Sequence, residues 1–188
     1  PIVWRPEDVP TPASTGVVAV EAPLAALRHY IDWTPFFHTW ELKGVYPRIL
    51  EHPVYGEQAK RVFYDANVLL DRIVAEGLLT ARGVYGLFAA EAVGDDVALF
   101  ADASRQTERA RFHFLRQQRA REDDTPNRCL ADFVAPRGAG LADHLGAFAV
   151  TAGIGLDALV KGFRAQHDDY NAIMAEALAD RLAEAFAE

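Results

Sequence analysis

An apolar stripe at helical spacing runs from Leu156 to Phe186 and dictates how this part of the chain folds. The stripe recurs every three or four residues over about nine turns of 3.6 residues each. Its members are Leu156, Leu159, Val160, Phe163, Tyr170, Ile173, Met174, Ala177, Leu178, Leu182 and Phe186. Such a stripe is stable only when another layer covers it. The sequence therefore predicts one long carboxyl-terminal helix that packs against the rest of the domain.

Two earlier segments have equally regular patterns. Gly56 to Glu76 predicts a helix that ends at Gly77, because its apolar side chains also recur every three or four residues. These are Ala59, Val62, Phe63, Ala66, Leu69, Leu70 and Ile73. Val84–Phe88 and Val97–Phe100 are short apolar runs on either side of Gly94 and Asp95. That arrangement predicts a β-hairpin with a glycine-aspartate turn.

The middle of the chain completes the prediction of the fold. Arg105 to Arg121 has apolar residues at helical spacing, so we expect a helix there. Leu130–Val134 and Leu145–Val150 are mostly apolar and predict two strands buried on both faces. Strands that follow one another without alternating helices favour an antiparallel sheet. We therefore predict an α+β fold, in which helices flank a small antiparallel twisted sheet and a long helix ends the chain.

Length, composition and charge limit the classes of protein to consider. A chain of 188 residues with 51% hydrophobic content can bury one good core. We assign residues 18–188 to one domain and residues 1–17, rich in proline, to an extended linker or lead-in. The formal net charge of -8 argues against nucleic-acid binding, because phosphate affinity comes from surplus lysine and arginine. The single cysteine, Cys129, excludes an internal disulfide or a multi-cysteine metal site, and we expect it to be buried.

The sequence also bears on where the protein works. No apolar run approaches the roughly 20 residues that span a bilayer, and no amino-terminal signal precedes a cleavage site. We therefore expect a soluble, cytoplasmic protein with no membrane partner.

A dense aromatic segment runs from Ile31 to Leu50 and reads Ile-Asp-Trp-Thr-Pro-Phe-Phe-His-Thr-Trp-Glu-Leu-Lys-Gly-Val-Tyr-Pro-Arg-Ile-Leu. Thr34 and Pro35 predict the start of a helix, with Thr34 as the cap and Pro35 in the first helical position. The density of aromatic residues suggests a binding wall, although such side chains more often fill a core. Asp32, the early carboxylate, either caps this helix or contacts a ligand.

An acidic ridge lies on the polar side of the last predicted helix. Glu176, Asp180, Glu184 and Glu188 follow one another at intervals of four residues, a spacing at which like charges repel. One explanation is solvation together with neighbouring cations such as Arg181. The other is that the ridge binds a cationic ligand, for example one with both a sulfonium and an ammonium group.

The remaining polar clusters give no sign of catalysis. The sequence contains no Ser-His-Asp set and no glycine-rich phosphate loop, so we assign no catalytic residue. His167, Asp168 and Asp169 are adjacent, and adjacent helical residues point in different directions, so we predict a polar helix surface and no metal site. Six arginines lie between Arg105 and Arg121. They form either a solvated helix face or a surface that docks an acidic protein.

Five segments together resemble one known family. They are Ile31–Leu50, Arg82–Asp96, Cys129–Pro136, Asp143–Gly153 and Gln166–Glu188. In this order they are similar to the activation domain of cobalamin-dependent methionine synthase, and the resemblance extends from about Val18 to the last residue. A later family motif, Arg-Pro-Ala-Pro-Gly-Tyr-Pro, supplies much of the S-adenosylmethionine site and is absent here. The resemblance therefore implies the amino-terminal, larger part of that domain.

The resemblance also implies a function and a set of site residues. It places Asp32, Asp180 and Glu184 close to S-adenosylmethionine, which methylates cobalamin that has been inactivated by oxidation. Cobalamin itself would be held mainly by the corrin-binding domain of the same enzyme. A flavodoxin-like protein would supply the electron, and Arg105, Arg109 and Arg116 are candidates for its docking. The isolated chain would then be part of a methyltransferase that does not make methionine alone.

An alternative function belongs to another class. Without the later motif, the chain would be a non-catalytic interaction module that docks a flavoprotein or the corrin-binding domain. Such a module would bind no ligand by itself.

Overall fold

The computed structural model of the protein describes residues 3–120 and 125–188. The chain divides into two compact units. The helical unit consists of Ala19–Val84 and Phe148–Glu188, and the sheet unit consists of Pro1–Val18 and Tyr85–Ala147. Arg121, the last residue of the helix predicted from Arg105, lies outside the described residues.

The helical unit is built from five α-helices and one core. The helices are α1 (Leu24–Leu27), α2 (Trp33–Thr39), α3 (Gly56–Glu76), α4 (Leu156–Ala165) and α5 (Asp169–Ala187), with 3-10 turns at Arg28–Tyr30 and Arg48–Glu51. Side chains from α2, α3 and α5 fill the centre of the core. The most deeply buried of them are Phe36, Phe37, Leu70, Ile73, Met174, Leu178 and Leu182.

Helix α3 confirms the prediction from sequence at both ends. It begins at Gly56 and ends at Glu76, and the apolar residues at helical spacing lie on its buried face. Gly77 follows in the left-handed conformation with φ of 61°, and its N–H bonds to the carbonyl of Ile73. Glycine ends the helix there because it adopts this conformation without a steric cost.

The long final helix is α5, but the carboxyl-terminal stripe as a whole forms two helices, so the extension of one helix over the entire stripe was wrong. α4 ends at Ala165, and His167 has φ of 57°, which turns the chain. Asp168 then caps α5, since its Oδ1 accepts a hydrogen bond of 3.0 Å from the N–H of Asn171. His167 and Asp168 therefore form the junction between two helices and do not lie on a continuous helix surface.

A five-stranded sheet contains β1 (Gly16–Ala22), β2 (Thr80–Val93), β3 (Asp96–Phe100), β4 (Glu108–His113) and β5 (His144–Ile154). The strand order is β1-β2-β3-β4, and β5 also pairs with β2. β2 and β3 are antiparallel, with Val93 opposite Asp96, and Gly94 in their turn has φ of 65°. The predicted hairpin and its turn are confirmed, as is the α+β class with its antiparallel sheet and long final helix.

Two predictions for the middle of the chain were wrong. The described part of the first, residues 105–120, is not helical: it contains β4, which pairs with β3 so that Phe112 lies opposite Val97. The hydrogen bonds and side-chain contacts of the sheet outweigh the weak helical spacing. Leu130–Val134 contains a 3-10 turn at Leu130–Phe133, and Leu145–Val150 lies in β5 but is largely exposed.

The amino-terminal residues that the structure describes include a 3-10 turn at Pro6–Asp8, and β1 begins at Gly16. Within residues 3–120 and 125–188, no helix is both long enough and apolar enough to cross a bilayer.

Arg116 organises the polar contacts of the sheet unit. Its guanidinium donates to Oδ1 of Asp95 at 2.6 Å and to both carboxylate oxygens of Asp132 at 2.7 and 2.8 Å. A further bond of 2.8 Å reaches the carbonyl oxygen of Asn127. Cys129 is buried as predicted, and its N–H donates to Asp132 at 2.9 Å. One guanidinium thus joins the β2–β3 turn to the 3-10 turn that follows Cys129.

We expect this network to make the stability of the sheet unit depend on pH. The hydrogen bonds from Arg116 and from the Cys129 N–H lower the pKa of Asp132 to about 2. Because the unfolded chain binds the proton more readily, the contribution is complete above about pH 4 and is lost as the pH falls towards 2. Asp132→Asn should therefore lose less stability than the wild type between pH 6 and pH 3, as measured by urea unfolding. An equal loss in both proteins would contradict this role of Asp132.

Candidate functional site

Asp32 lies where the 3-10 turn at Arg28–Tyr30 meets α2. Its Oδ1 accepts a hydrogen bond of 2.9 Å from the N–H of Thr34, so Asp32 is the cap of α2. The carboxylate is exposed and makes no ion pair within the described residues. Capping, one of the two roles that the sequence left open for Asp32, is confirmed, and it leaves the negative charge open to solvent.

Thr34 and Pro35 occupy different positions from those predicted. Thr34 is the second residue of α2 and Pro35 the third, because the helix begins at Trp33. The hydroxyl of Thr34 accepts a hydrogen bond of 3.2 Å from the N–H of Tyr46. Thr34 therefore anchors the loop that follows α2, and the capping falls to Asp32.

The aromatic residues of this segment belong mainly to the core. Trp33 is nearly buried and Phe36 and Phe37 are fully buried. The ring of Trp33 meets that of Phe63 on α3 at 4.8 Å with an interplanar angle of 77°. Trp40 is half-buried, with its ring 4.9 Å from that of Tyr170. These contacts fix the orientation of α2 and so hold Asp32 at the surface.

The acidic ridge on α5 has cationic partners within the chain. Arg164 donates to Glu176 at 2.9 Å. The guanidinium of Arg181 donates to both carboxylate oxygens of Glu184, at 2.5 and 2.8 Å, and lies 3.6 Å from Asp180. The repulsion expected along the ridge is thus offset locally, as the first explanation from sequence proposed.

Arg181 is the residue of this site that the sequence analysis undervalued. Its side chain is only 10% exposed, against 63% for Glu184 and 80% for Asp180. It lies in phase with the buried Leu178 and Ala185 on the apolar side of α5. The signal was present in the sequence, because an arginine at an apolar position of a helix predicts a carboxylate within three or four residues.

The predicted site residues fall on neighbouring elements. α2 and the 3-10 turn before it both contact α5, the helix that carries Asp180 and Glu184. Within the described residues, no hydrogen bond or ion pair joins Asp32 to either of these carboxylates. Two clefts of the helical unit, of about 430 and 470 Å³, are lined by other residues. Asp32, Asp180 and Glu184 are thus exposed carboxylates of the helical unit, and exposed carboxylates of this kind attract cations.

The three arginines proposed for docking differ in their availability. The guanidinium of Arg105 donates to the carbonyl oxygens of Ala90 and Asp143 at 2.7 and 2.6 Å. Arg116 is held by the two aspartates already described. Arg109 lies in β4, is exposed, and has no ion pair or hydrogen bond from its side chain within the described residues. Among the three, Arg109 is the one whose charge is open to a partner.

Comparison with known proteins adds two findings. A family model described as vitamin B12 dependent methionine synthase, activation domain, matches residues 23–188. A solved structure described as the MetH reactivation domain bound to AdoHcy is 56% identical in sequence and matches with a TM-score of 0.90. The match covers 95% of this chain and 55% of that chain, so this chain spans about half the length of the solved relative.

We expect the pair of Arg181 and Glu184 to respond asymmetrically to mutation. Glu184→Gln leaves a buried guanidinium without its main anionic partner and should destabilise the protein by about 1–2 kcal/mol. The full cost of breaking a buried pair is larger, but Glu184 is mostly exposed. Arg181→Met replaces the charge with an apolar side chain of similar size and leaves only exposed carboxylates, so its effect should be near zero. Thermal unfolding measures both. A larger loss for Arg181→Met than for Glu184→Gln would refute this account.

Proposed function

Because the chain belongs to the family of vitamin B12 dependent methionine synthase activation domains, we propose that it binds S-adenosylmethionine for the reductive methylation of cob(II)alamin. This reaction would restore the activity of a methionine synthase whose cobalamin has been oxidised, and so support methionine biosynthesis. The observation that carries the proposal is the excess of exposed carboxylates formed by Asp180 and Glu184 on α5, with Asp32 on an element that packs against the same helix.

The charge of the ligand fits this surface. S-adenosylmethionine has a sulfonium and an ammonium group against one carboxylate, so its net charge is positive. AdoHcy, the ligand named for the solved relative, lacks the methyl group and the positive charge on sulfur. The exposed carboxylates of Asp32, Asp180 and Glu184 would attract the cationic ligand and orient its sulfonium end.

The chemistry of the methyl transfer resides in the cofactors. Cobalamin, held mainly by the corrin-binding domain of the same enzyme, would supply the cobalt that accepts the methyl group. One electron from a flavodoxin-type donor completes the balance, and AdoHcy is the leaving product. The residues of this chain would bind and position the methyl donor, and none is proposed as an acid, a base or a nucleophile.

The chain would accordingly be one part of a methyltransferase. We infer that it works in the cytoplasm and does not convert homocysteine to methionine alone. The alternative, a non-catalytic interaction module, differs in one measurable property, because such a module would dock a protein partner without binding S-adenosylmethionine.

Titration calorimetry with S-adenosylmethionine tests the proposal, with Asp32→Asn as the informative variant. Asparagine caps a helix about as well as aspartate, so this change removes the charge and keeps the start of α2. We expect binding by the wild type and about tenfold weaker binding by Asp32→Asn at low salt. Asp157→Asn is the matched control, because it removes an exposed carboxylate from α4 in the same unit.

Unchanged unfolding temperatures would show that the fold is intact in the variants. If the wild type binds no S-adenosylmethionine, the ligand-binding function proposed here is wrong for this chain and the interaction module is favoured. Equal weakening in Asp32→Asn and Asp157→Asn would mean that overall charge, and not Asp32, determines the affinity.

We also propose that the sheet unit docks the flavodoxin-type electron donor, which is acidic. Arg109 would make the contact, because its charge has no ion pair within the described residues. Arg105 and Arg116 would stabilise this surface through their hydrogen bonds within the sheet unit. Arg109→Glu should weaken binding of a flavodoxin by about tenfold at low salt and much less at high salt, because exposed charges are screened. Lys161→Glu, the same change of charge on α4, should have little effect in the same binding assay. Equal effects of the two variants would contradict docking at Arg109.

A further inference from the structure

Arg181 is a charged side chain in an apolar setting. Among the described residues it is the one charged residue classed with the buried core. Leu178 and Leu182, on the same side of α5, are fully buried. A guanidinium in such surroundings loses hydration, and this cost is recovered only through well-formed contacts with carboxylates.

The contacts of Arg181 connect it to the proposed ligand site. Its planar fork donates to both oxygens of Glu184, which restricts the rotation of that carboxylate. The same guanidinium lies 3.6 Å from Oδ2 of Asp180. One buried group therefore contacts both of the α5 carboxylates that we propose for binding S-adenosylmethionine.

We propose that Arg181 is a positioning residue that holds the carboxylate of Glu184 for the ligand and sets how strongly the site prefers a sulfonium over a thioether. The inference rests on the proposed function. Two carboxylates and one guanidinium give this cluster a formal charge of -1. Without Arg181 that charge would be -2, while Glu184 would lose its fixed orientation.

The two roles of Arg181 act differently on two ligands. S-adenosylmethionine and AdoHcy share their nucleoside and amino-acid groups, and they differ by a methyl group and one positive charge. Loss of the fixed orientation should weaken both ligands. The additional negative charge should favour only the cationic ligand, so the ratio of the two dissociation constants reports the charge of the cluster.

The experiment is calorimetry of both ligands with the wild type, Arg181→Met and Arg181→Lys. In Arg181→Met, the dissociation constant of AdoHcy divided by that of S-adenosylmethionine should rise about fivefold at low salt, and the rise should shrink in 1 M salt. Arg181→Lys keeps the charge but not the bidentate fork, so both ligands should bind more weakly with nearly the wild-type ratio.

Arg164→Met is the matched control. It removes the same charge from α4, where Arg164 pairs with Glu176 of the ridge, and Glu176 is about 12 Å along the axis of α5 from Glu184. The ratio in this variant should stay close to that of the wild type. Thermal unfolding of all four proteins should show that Arg181→Met remains folded.

Three other results would contradict the role of Arg181, and one of them would also contradict the proposed function. If the wild type binds both ligands and Arg181→Met has an unchanged ratio, Arg181 is only a structural residue and the proposed function stands. A similar rise in Arg164→Met and Arg181→Met would mean that the whole ridge, and not Arg181, sets the preference. If the wild type binds neither ligand, both the proposed function and the role of Arg181 are wrong.

Discussion

The helical unit depends on the burial of one face of α5. Nine of the nineteen residues of this helix are buried, and most of them are alanine or leucine. The small side chains let neighbouring helices approach closely, and the longer ones fill the space between them. α1, α2, α3 and α4 all contact α5. Because α2 and α5 share this core, the position of Asp32 at the start of α2 and that of Glu184 on the exposed side of α5 are fixed by the same packing.

Arg181 makes the stability of this core and the charge of the site depend on the same groups. A guanidinium on the apolar side of α5 needs carboxylates nearby, and the exposed side of the helix supplies Glu184 and Asp180. Those carboxylates are also the groups proposed to attract a cation. Glu184 cannot turn away from Arg181 to meet a ligand without leaving a buried charge unpaired. A ligand would therefore have to bind to the pair as it stands, which favours a preformed orientation over rearrangement.

The sequence predicted the parts of the fold in which local preferences and tertiary contacts agree. α3 has regular apolar spacing and a glycine at its end, so both of its boundaries were predictable. The segment after Arg105 has a weaker apolar spacing, and pairing with the preceding strand β3 decides its structure. The break after α4 was hidden because the apolar stripe continues across it. His167 turns the chain there in a conformation that is uncommon for residues other than glycine.

Charge and spacing left the role of the three proposed site residues open, and the family resemblance singled them out. Asp32, Asp180 and Glu184 stand out in the sequence as carboxylates beside apolar segments, and the structure places all three at the surface of one unit. The spacing of residues in the sequence could not predict the direction of the Arg181 side chain, because an arginine can extend to solvent or fold against its own helix. The packing of Leu178 and Leu182 against the neighbouring helices leaves its stem on the apolar side, and its fork then reaches back to Glu184. The charge of this surface is thus set by the core beneath it as much as by the acids that the sequence displays.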